Sequence, residues 1–360
     1  MNTEKTKQGN ILKKTNDDRR DLTFVLFNAR SLMNKLSELA VLVESEKPDV
    51  ILITESWTNA NIEDAEVCLS GYTMVRSDKE GTRGGGCILY CREELKAIIV
   101  PNSINSKMTG VQSIWIKLKL DSEVRIGLIY RSPNSTEEET DMMMREIELM
   151  SEIKEHVLVC GDFNFPHINW NTLQADKLGQ KFVDCVHDCY FQQLVKEPTR
   201  ENNILDLVLS SDSDKISQIR TDCPFGSSDH RQVKFRLNAP RDVSVWNRQF
   251  LNYRKGKYKQ FRKFLSQYDW DVILGSGGVE NIWTKFKSIL LLGVDKFIPK
   301  CVRSTRRTKP QWLSKSVMRA NMKKRNSWKQ YRDSRTEQRW MVYKKHLKIS
   351  NKVINGINGN

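Results

Sequence analysis

Glu55, Asp162, Asn164, Asp206, Asp229 and His230 lie in four short strings: Thr54-Glu55-Ser56-Trp57, Gly161-Asp162-Phe163-Asn164, Leu205-Asp206-Leu207 and Ser228-Asp229-His230. Each string ends or follows an apolar run that reads as a strand, which puts its polar groups at that strand's C-terminal edge. A glutamate, three aspartates, an asparagine and a histidine on strand ends can converge on one small volume. Such a set suits a hard divalent cation with oxygen ligands together with a charged His–Asp pair. The natural target of that combination is a phosphodiester.

Each member also has a plainer reading. Glu55 closely follows the apolar residues 50–53. A buried, unpaired carboxylate there would be costly, and a bound Mg²⁺ would remove that cost; a strand-end glutamate facing water fits equally. Gly161 permits a sharp exit from its strand. The i, i+2 spacing of Asp162 and Asn164 puts both side chains on one side of an extended segment, where they can orient a water; an Asx turn is the alternative. Among five histidines His230 is singled out, since it follows an acid at a strand start. An imidazole held by a carboxylate stays charged and oriented, and it would stabilise negative charge developing on a scissile phosphate. A surface histidine near a turn is the plainer reading. The glycines 84–86 read as a strand start, because no Gly-Lys-Ser/Thr follows them. Cys185, His187 and Cys189 have neither the spacing nor the partners of a zinc site.

The elements that must position these groups follow from periodicity. Strands are expected at 22–27, 50–53, 84–91, 111–120, 124–130, 157–160, 204–209 and 232–237, with the fourth and fifth, 111–120 and 124–130, joined as a hairpin around Asp121-Ser122. Helices are expected from Ser31, as cap, to about Glu46, and over 136–154 and 177–189. Strands and helices occur throughout, the pattern of layered sheets with outer helices.

The formal charge of +15 over 360 residues is unevenly spread. Residues 241–360 hold 29 Lys+Arg against 7 Asp+Glu, +22, while residues 1–240 hold 30 against 37, −7. An acidic body fits metal binding, and a tail at +22 fits an anionic polymer or a solvated basic segment. Pro240 marks the boundary, and six of the nine tryptophans lie beyond it: Trp246, Trp270, Trp283, Trp312, Trp328 and Trp340. Residues 312–354 read as two basic helices with a turn at 333–338. Val317, Trp328 and Tyr331 fall on one, Trp340, Tyr343 and Leu347 on the other. These rings either stack on single-stranded bases or pack between the helices, and the recurrent spacing of three and four favours packing. Residues 1–21 are polar and read as disordered, with no secretory signal. No run of 18 apolar residues occurs, so no membrane span is expected. The eight scattered cysteines read as reduced thiols of an intracellular protein.

The order of the strings is more specific than any one of them. Phe27-Asn28-Ala29-Arg30, Thr54-Glu55, Ile129-Tyr130-Arg131-Ser132-Pro133, Gly161-Asp162-Phe163-Asn164, Leu205-Asp206 and Ser228-Asp229-His230 resemble the endonuclease/exonuclease/phosphatase superfamily across residues 22–238. Residues 28–32, 54–57, 83–90 and 161–170 most resemble the endonuclease domain of non-LTR (LINE-type, jockey-like) retrotransposon polyproteins. Pro310-Gln311-Trp312 and the Lys/Arg/Trp helices, within residues 239–360, resemble the basic linker before their reverse transcriptase. The resemblance implies an α/β fold, a four-layer α/β sandwich followed by a basic, mainly helical segment. It implies a Mg²⁺-dependent phosphodiesterase, with Mn²⁺ as the alternative ion, that nicks DNA for target-primed retrotransposition in the nucleus. Glu55 would be the main metal ligand, with Asn28 beside it and Asp229 nearby. Asp162 would position or deprotonate the attacking water, Asn164 orient it, and Tyr130 contact the phosphate. His230 would stabilise the phosphoryl charge, oriented by Asp206. DNA is the implied substrate, element RNA a further partner for the basic tail, and no membrane is involved. A chain that stops before a reverse transcriptase would be a truncated product. A phosphomonoesterase of the same fold and a non-catalytic nucleic-acid-binding remnant compete with this reading. The +22 tail argues against the first and the complete motif set against the second.

Overall fold

A computed structural model describes residues 21–81, 84–101, 110–238, 249–251, 253–275, 277–302 and 313–356. The expectations for residues 1–20, Arg83, Pro240, Trp246, Pro310, Gln311 and Trp312 lie outside the described residues. The chain divides into two compact units, Met1–Arg241 with Lys309–Asn360, and Asp242–Thr308.

The first unit is built on two six-stranded sheets. One has the order β11 (Ile216–Pro224), β12 (Arg231–Leu237), β1 (Leu22–Asn28), β2 (Val50–Thr54), β4 (Cys87–Arg92), β3 (Tyr72–Ser77). The other has the order β5 (Ile98–Ile99), β6 (Val111–Lys119), β7 (Glu123–Arg131), β8 (His156–Asp162), β10 (Asp206–Ser210), β9 (Gln192–Gln193). The β1–β2 and β7–β8 pairs are parallel, and the others antiparallel. Strand alternation makes the layers. Leu22, Phe24 and Leu26 of β1 point between the sheets, where they meet the core that includes Ile126 and Leu158. Val25 and Phe27 point outward, under Leu39, Leu42 and Val43 of α1 (Leu36–Glu46). On the far side, Met143 and Ile147 of α3 (Glu137–Ser151) and Phe182 and Val186 of α4 (Lys177–Asp188) cover the second sheet. The result is the expected helix–sheet–sheet–helix sandwich. A one-turn helix, α2 (Asp64–Val67), precedes β3. Thr136 and Glu139 close a capping box on α3, and the β6–β7 hairpin turns where expected.

Two local readings change. Ser31 caps no helix: it sits at φ 77°, a 3-10 turn at Met33–Lys35 follows, and α1 begins only at Leu36. The cause is tertiary. The backbone N–H groups of Ser31 and Leu32 donate to the carbonyls of Glu55 and Ser56, drawing the chain across the end of β2 first. Nor do all four strings sit at C-terminal strand edges. Asp206 opens β10 and His230 precedes β12. Both strands run antiparallel to their neighbours, so their starts meet the ends of β8 and β1.

The basic tail also differs from a single segment beyond residue 240. α8 (Lys315–Ser334) and α9 (Glu337–Asn355) form, joined at Arg335 in the left-handed region, and they group with the sandwich. Val41 of α1 packs with Leu313, Val317 and Ile354. Trp328 and Tyr343 are buried against Cys223 of β11, so the aromatic residues pack as their spacing indicates. An ionic cluster joins the layers: Lys234 Nζ lies 2.7 Å from both Glu46 and Asp222, and Arg325 lies 3.2 Å from Glu46 and 3.4 Å from Asp222.

The second unit, taken by itself, pairs β13 (Gln249–Leu251) with β14 (Lys300–Val302) and holds α5 (Tyr258–Leu265), α6 (Trp270–Leu274) and α7 (Val279–Phe297). Its helices meet through rings, including Phe261 and Phe264 against Phe297 and Trp270 against Phe286. Among the described residues, no helix is long and apolar enough to cross a membrane.

Candidate active site

The strand register brings the chemistry-bearing residues to one mouth between the two sheets. Asn28 ends β1 beside Thr54, and Tyr130 and Asp206 both pair with Asp162. Gly161 makes the bend possible: at φ 155° a Cβ would sit 1.7 Å from the Ile129 carbonyl oxygen of the neighbouring strand. Positive φ also recurs at Arg30, Ser31, Glu55, Trp57 and Asn164, all in the loops around this mouth. Backbone strain of this kind persists where surrounding bonds over-determine it, and it concentrates at functional sites.

Asn28 ties the sheets together. Its Nδ2 donates to Glu55 Oε1 at 2.9 Å and to Asp162 Oδ2 at 2.8 Å, and its Oδ1 accepts the Arg30 N–H. Glu55 also receives Trp57 Nε1–H on Oε2 at 3.2 Å and the Tyr130 hydroxyl on Oε1 at 3.4 Å. Its side chain remains half-exposed, whereas Asn28, Asp162 and Asp206 are buried. His230 Nδ1 lies 2.8 Å from Asp206 Oδ2 and 3.7 Å from Asp162 Oδ2. The Thr199 hydroxyl accepts the Leu205 and Asp206 N–H groups and so fixes the start of β10. Asp162, Asp206 and His230 thus form one buried group.

The electrostatics follow. Burial, then the Asp206 carboxylate, raise the Asp162 pKa to about 7, against the pull of His230 and the Asn28 hydrogen bond. Burial opposes charge on His230, but Asp206 and Asp162 outweigh it and bring its pKa to about 9. Burial, then Glu55, push the Tyr130 hydroxyl up, so it donates and stays neutral.

Asn164 adopts the turn alternative: it sits at φ 50° and its N–H donates to Asp162 Oδ1 at 3.3 Å. Its Nδ2 donates to the Arg131 carbonyl at 2.8 Å. Asp229 lies at the rim, where its Oδ2 is 3.0 Å from Arg30 and 2.9 Å from Arg200. Arg200 and Thr199 carry no signal in the sequence, because they lie in a loop without periodicity. His156 shares the sequence pattern of His230, an acid before and a strand after. It sits at the opposite end of β8, bonded to Ser210 at 2.8 Å, and burial lowers its pKa to about 4.

Residues 124–234 match the family model described as endonuclease-reverse transcriptase. Among solved structures, the endonuclease domain of TRAS1, a telomere-specific non-LTR retrotransposon, is similar at 18% identity and a TM-score of 0.50, over 62% of this chain and 100% of that one. The AP endonuclease LMAP from Leishmania major matches at 15% identity and 0.49, over 61% and 88%. The 3'-5' exonuclease NExo from Neisseria meningitidis matches at 14% identity and 0.49, over 60% and 100%. No curated protein matches the chain.

Proposed function

We propose that this chain, a member of the endonuclease/exonuclease/phosphatase superfamily, nicks phosphodiester bonds in DNA with a bound divalent cation, Mg²⁺ first and Mn²⁺ as the alternative, for target-primed retrotransposition on nuclear DNA. The observation that carries this reading is the bonded row Glu55–Asn28–Asp162 beside the Asp206–His230 pair at one mouth.

The residues fit a hard cation. The carboxylates of Glu55, Asp162 and Asp206 gather at one mouth beside a single imidazole, and the Glu55 side chain remains half-exposed there. Oxygen donors dominate, as Mg²⁺ prefers. Glu55 would hold the ion, with Asn28 beside it. Asp229, already engaged by two guanidiniums, would contribute from the rim through its charge. When bound, the cation supplies charge neutralisation at the phosphate. Asp162 takes the proton of the attacking water on a carboxylate oxygen, while Asn28 holds that carboxylate in place. Asn164, anchored through Nδ2, turns Oδ1 toward the same water. His230, with Nδ1 held by Asp206, offers Nε2–H to a phosphate oxygen. The Tyr130 hydroxyl reaches the phosphate from the Glu55 side.

Nicking of supercoiled plasmid to 3′-hydroxyl ends tests this, with EDTA as control. A nick that survives EDTA, or none with either ion, removes the reading. Hydrolysis of small phosphomonoesters in place of DNA would move it to the competing phosphatase class.

Two further results are expected. Asp206→Asn should lower the rate on the order of 10²-fold while leaving the Mg²⁺ requirement nearly unchanged, since it acts through His230. Glu55→Gln should raise that requirement on the order of 10- to 100-fold. Mg²⁺ titrations of both variants check the roles, and equal shifts in requirement would count against them.

The pH profile is the second. The folded pKa of His230, about 9, lies above its ordinary value of 6.5. Its charged form therefore contributes stability that is fully present below pH 6.5 and lost as pH rises through 9. Nicking by the parent chain should fall over the same alkaline range, and His230→Ala should lack that limb. A parent profile flat to pH 10 would detach His230 from the reaction.

A further inference from the structure

A cleft of about 580 Å³ opens between α8 and the edge strand β11, on the outer side of the first sheet. It shares Ser45, Arg220 and Arg325 with an adjoining hollow of about 300 Å³, so the two form one trough. The cleft is lined by Arg220, Arg325, Lys329 and Arg332 and by a single acid, Asp222. That acid is already matched by Lys234 at 2.7 Å and Arg325 at 3.4 Å. Among the described residues, Arg332 pairs with the exposed Asp333 beside it. Arg220 and Lys329 are exposed, and among the described residues no acid forms an ion pair with either. The surrounding hairpin deepens the field: residues 313–356 hold 13 Lys+Arg against 2 Asp+Glu.

We infer that this trough binds a single nucleic-acid strand, separate from the duplex at the catalytic mouth. The inference rests on the nicking activity proposed above only for the source of that strand. The positive lining calls for an anionic polymer. The shape and the rest of the lining select an unpaired one. Duplex DNA keeps its bases stacked inside and offers a broad cylinder of phosphates to an open surface. This site is recessed, and its lining includes Met318, Met322 and the nearly buried Trp328. Asn321 and Asn326 add amide donors and acceptors. A cationic groove that tracks the backbone, with apolar surface for the bases, holds single strands without strict sequence preference; here the apolar surface is that of Met318 and Met322. The position is also apt. The Arg231 guanidinium lies 5.4 Å over the Trp328 ring, and Arg231 directly follows His230. The Trp328 end of the trough is thus linked through Arg231 to the strand that His230 precedes, and a displaced DNA strand or an RNA to be paired with the nicked end is the strand it would take.

The test uses the full chain carrying Asp162→Asn, so that binding is read without cleavage. Labelled single strands of DNA and of RNA, and a duplex of the same sequence, are titrated by fluorescence anisotropy across a salt series. Arg220→Glu with Lys329→Glu should weaken single-strand binding about tenfold or more. It should also make the log–log salt slope shallower by roughly 1.4, about 0.7 for each lost phosphate contact. Duplex affinity should change less than threefold, and the melting temperature should match the parent because both side chains are exposed. Lys345→Glu with Lys348→Glu, exposed on α9 and outside the trough, serves as the charge control. Preference for the RNA arm or the DNA arm identifies the source of the strand. An unchanged single-strand affinity and slope would overturn the inference, as would an equal loss on the duplex or in the charge control. Plasmid nicking by the same double variant with Asp162 restored separates the two proposals. Parent-rate nicking with unchanged strand binding sinks the trough alone; weakened strand binding in a parent chain that never nicks sinks the catalytic reading alone.

Discussion

His230→Ala and Asp162→Asn are each expected to slow plasmid nicking by on the order of 10²-fold or more at saturating Mg²⁺. His230 is charged at neutral pH because two carboxylates outweigh its burial. Removing it withdraws a preorganised positive donor from the developing phosphoryl charge, and such donors are worth about 10²- to 10³-fold each. It also leaves Asp206 buried without its partner. The Asp162 substitution acts differently. Asparagine fills the same volume and can still accept from Asn28 through its oxygen, so the hydrogen-bonded row survives. It cannot accept the proton of the attacking water. Loss of rate with an unchanged melting temperature would therefore assign Asp162 to proton transfer. Parent-rate nicking by both variants would mean that the phosphodiester is cut elsewhere.

Which parts of this molecule are legible in its sequence follows from which faces are covered. β2 reads Val-Ile-Leu-Ile-Thr because it lies inside its sheet with cover on both faces, and all five residues are buried. Of the eight strands anticipated, β8 and β10 are of this kind, all their residues buried, while β6 and β7 are read from their alternation around a hairpin. In the first unit, the four that escape, β3, β5, β9 and β11, are the four edges of its two sheets; β13 and β14 of the second unit escape as well. β11 carries Ser217, Gln218, Arg220 and Asp222 among its nine residues and is broken by register shifts, so it shows no clean alternation. At the candidate site, the residue types and their order single out Glu55, Asp162, Asp206 and His230, each with a plainer reading beside it, and the fold brings the four to one mouth. Contacts to Thr199 and Arg200 depend on how a loop folds back, which spacing does not encode. The double role of Asn28 depends on two sheets meeting face to face, and its partners lie 27 and 134 residues away.

Charge composition misleads in one instructive place. A segment at +22 fits an anionic polymer or a solvated surface, yet Lys324 is buried on α8 and Arg325 turns inward to Glu46 and Asp222. Lys324 also bears on Glu38, whose pKa burial raises and whose charge Lys324 and Lys35 favour. Lys35 in turn donates to the carbonyls of Ala29 and Arg30, next to Asn28. The cations of the hairpin that face inward therefore belong to the packing of the sandwich, and those that face outward make its field.

A chain ending near residue 240 is consequently expected to be much less stable than the full chain, not a free-standing catalytic body. Such a chain uncovers Val41 and Cys223, each about 1% exposed in the full protein, and strips Arg325 from two half-buried carboxylates. Trp328→Ala isolates the largest single part of that loss. Trp328 is 4% exposed and packs on Cys223, Tyr331 and Tyr343. Truncating a buried tryptophan to alanine costs about 3–5 kcal/mol. At roughly 2–4 °C per kcal/mol for a domain of this size, the melting temperature should fall by about 6–20 °C. Removing residues 241–360 should lower it at least as far, with nicking lost at temperatures where the shortened chain unfolds and partly recovered on cooling. Thermal melts of the three chains, followed by nicking assays on either side of each transition, decide the matter. If the shortened chain melts with the full one and nicks at its rate, α8 and α9 contribute nothing to the sandwich, and the buried face of Trp328 is only a local contact within the hairpin.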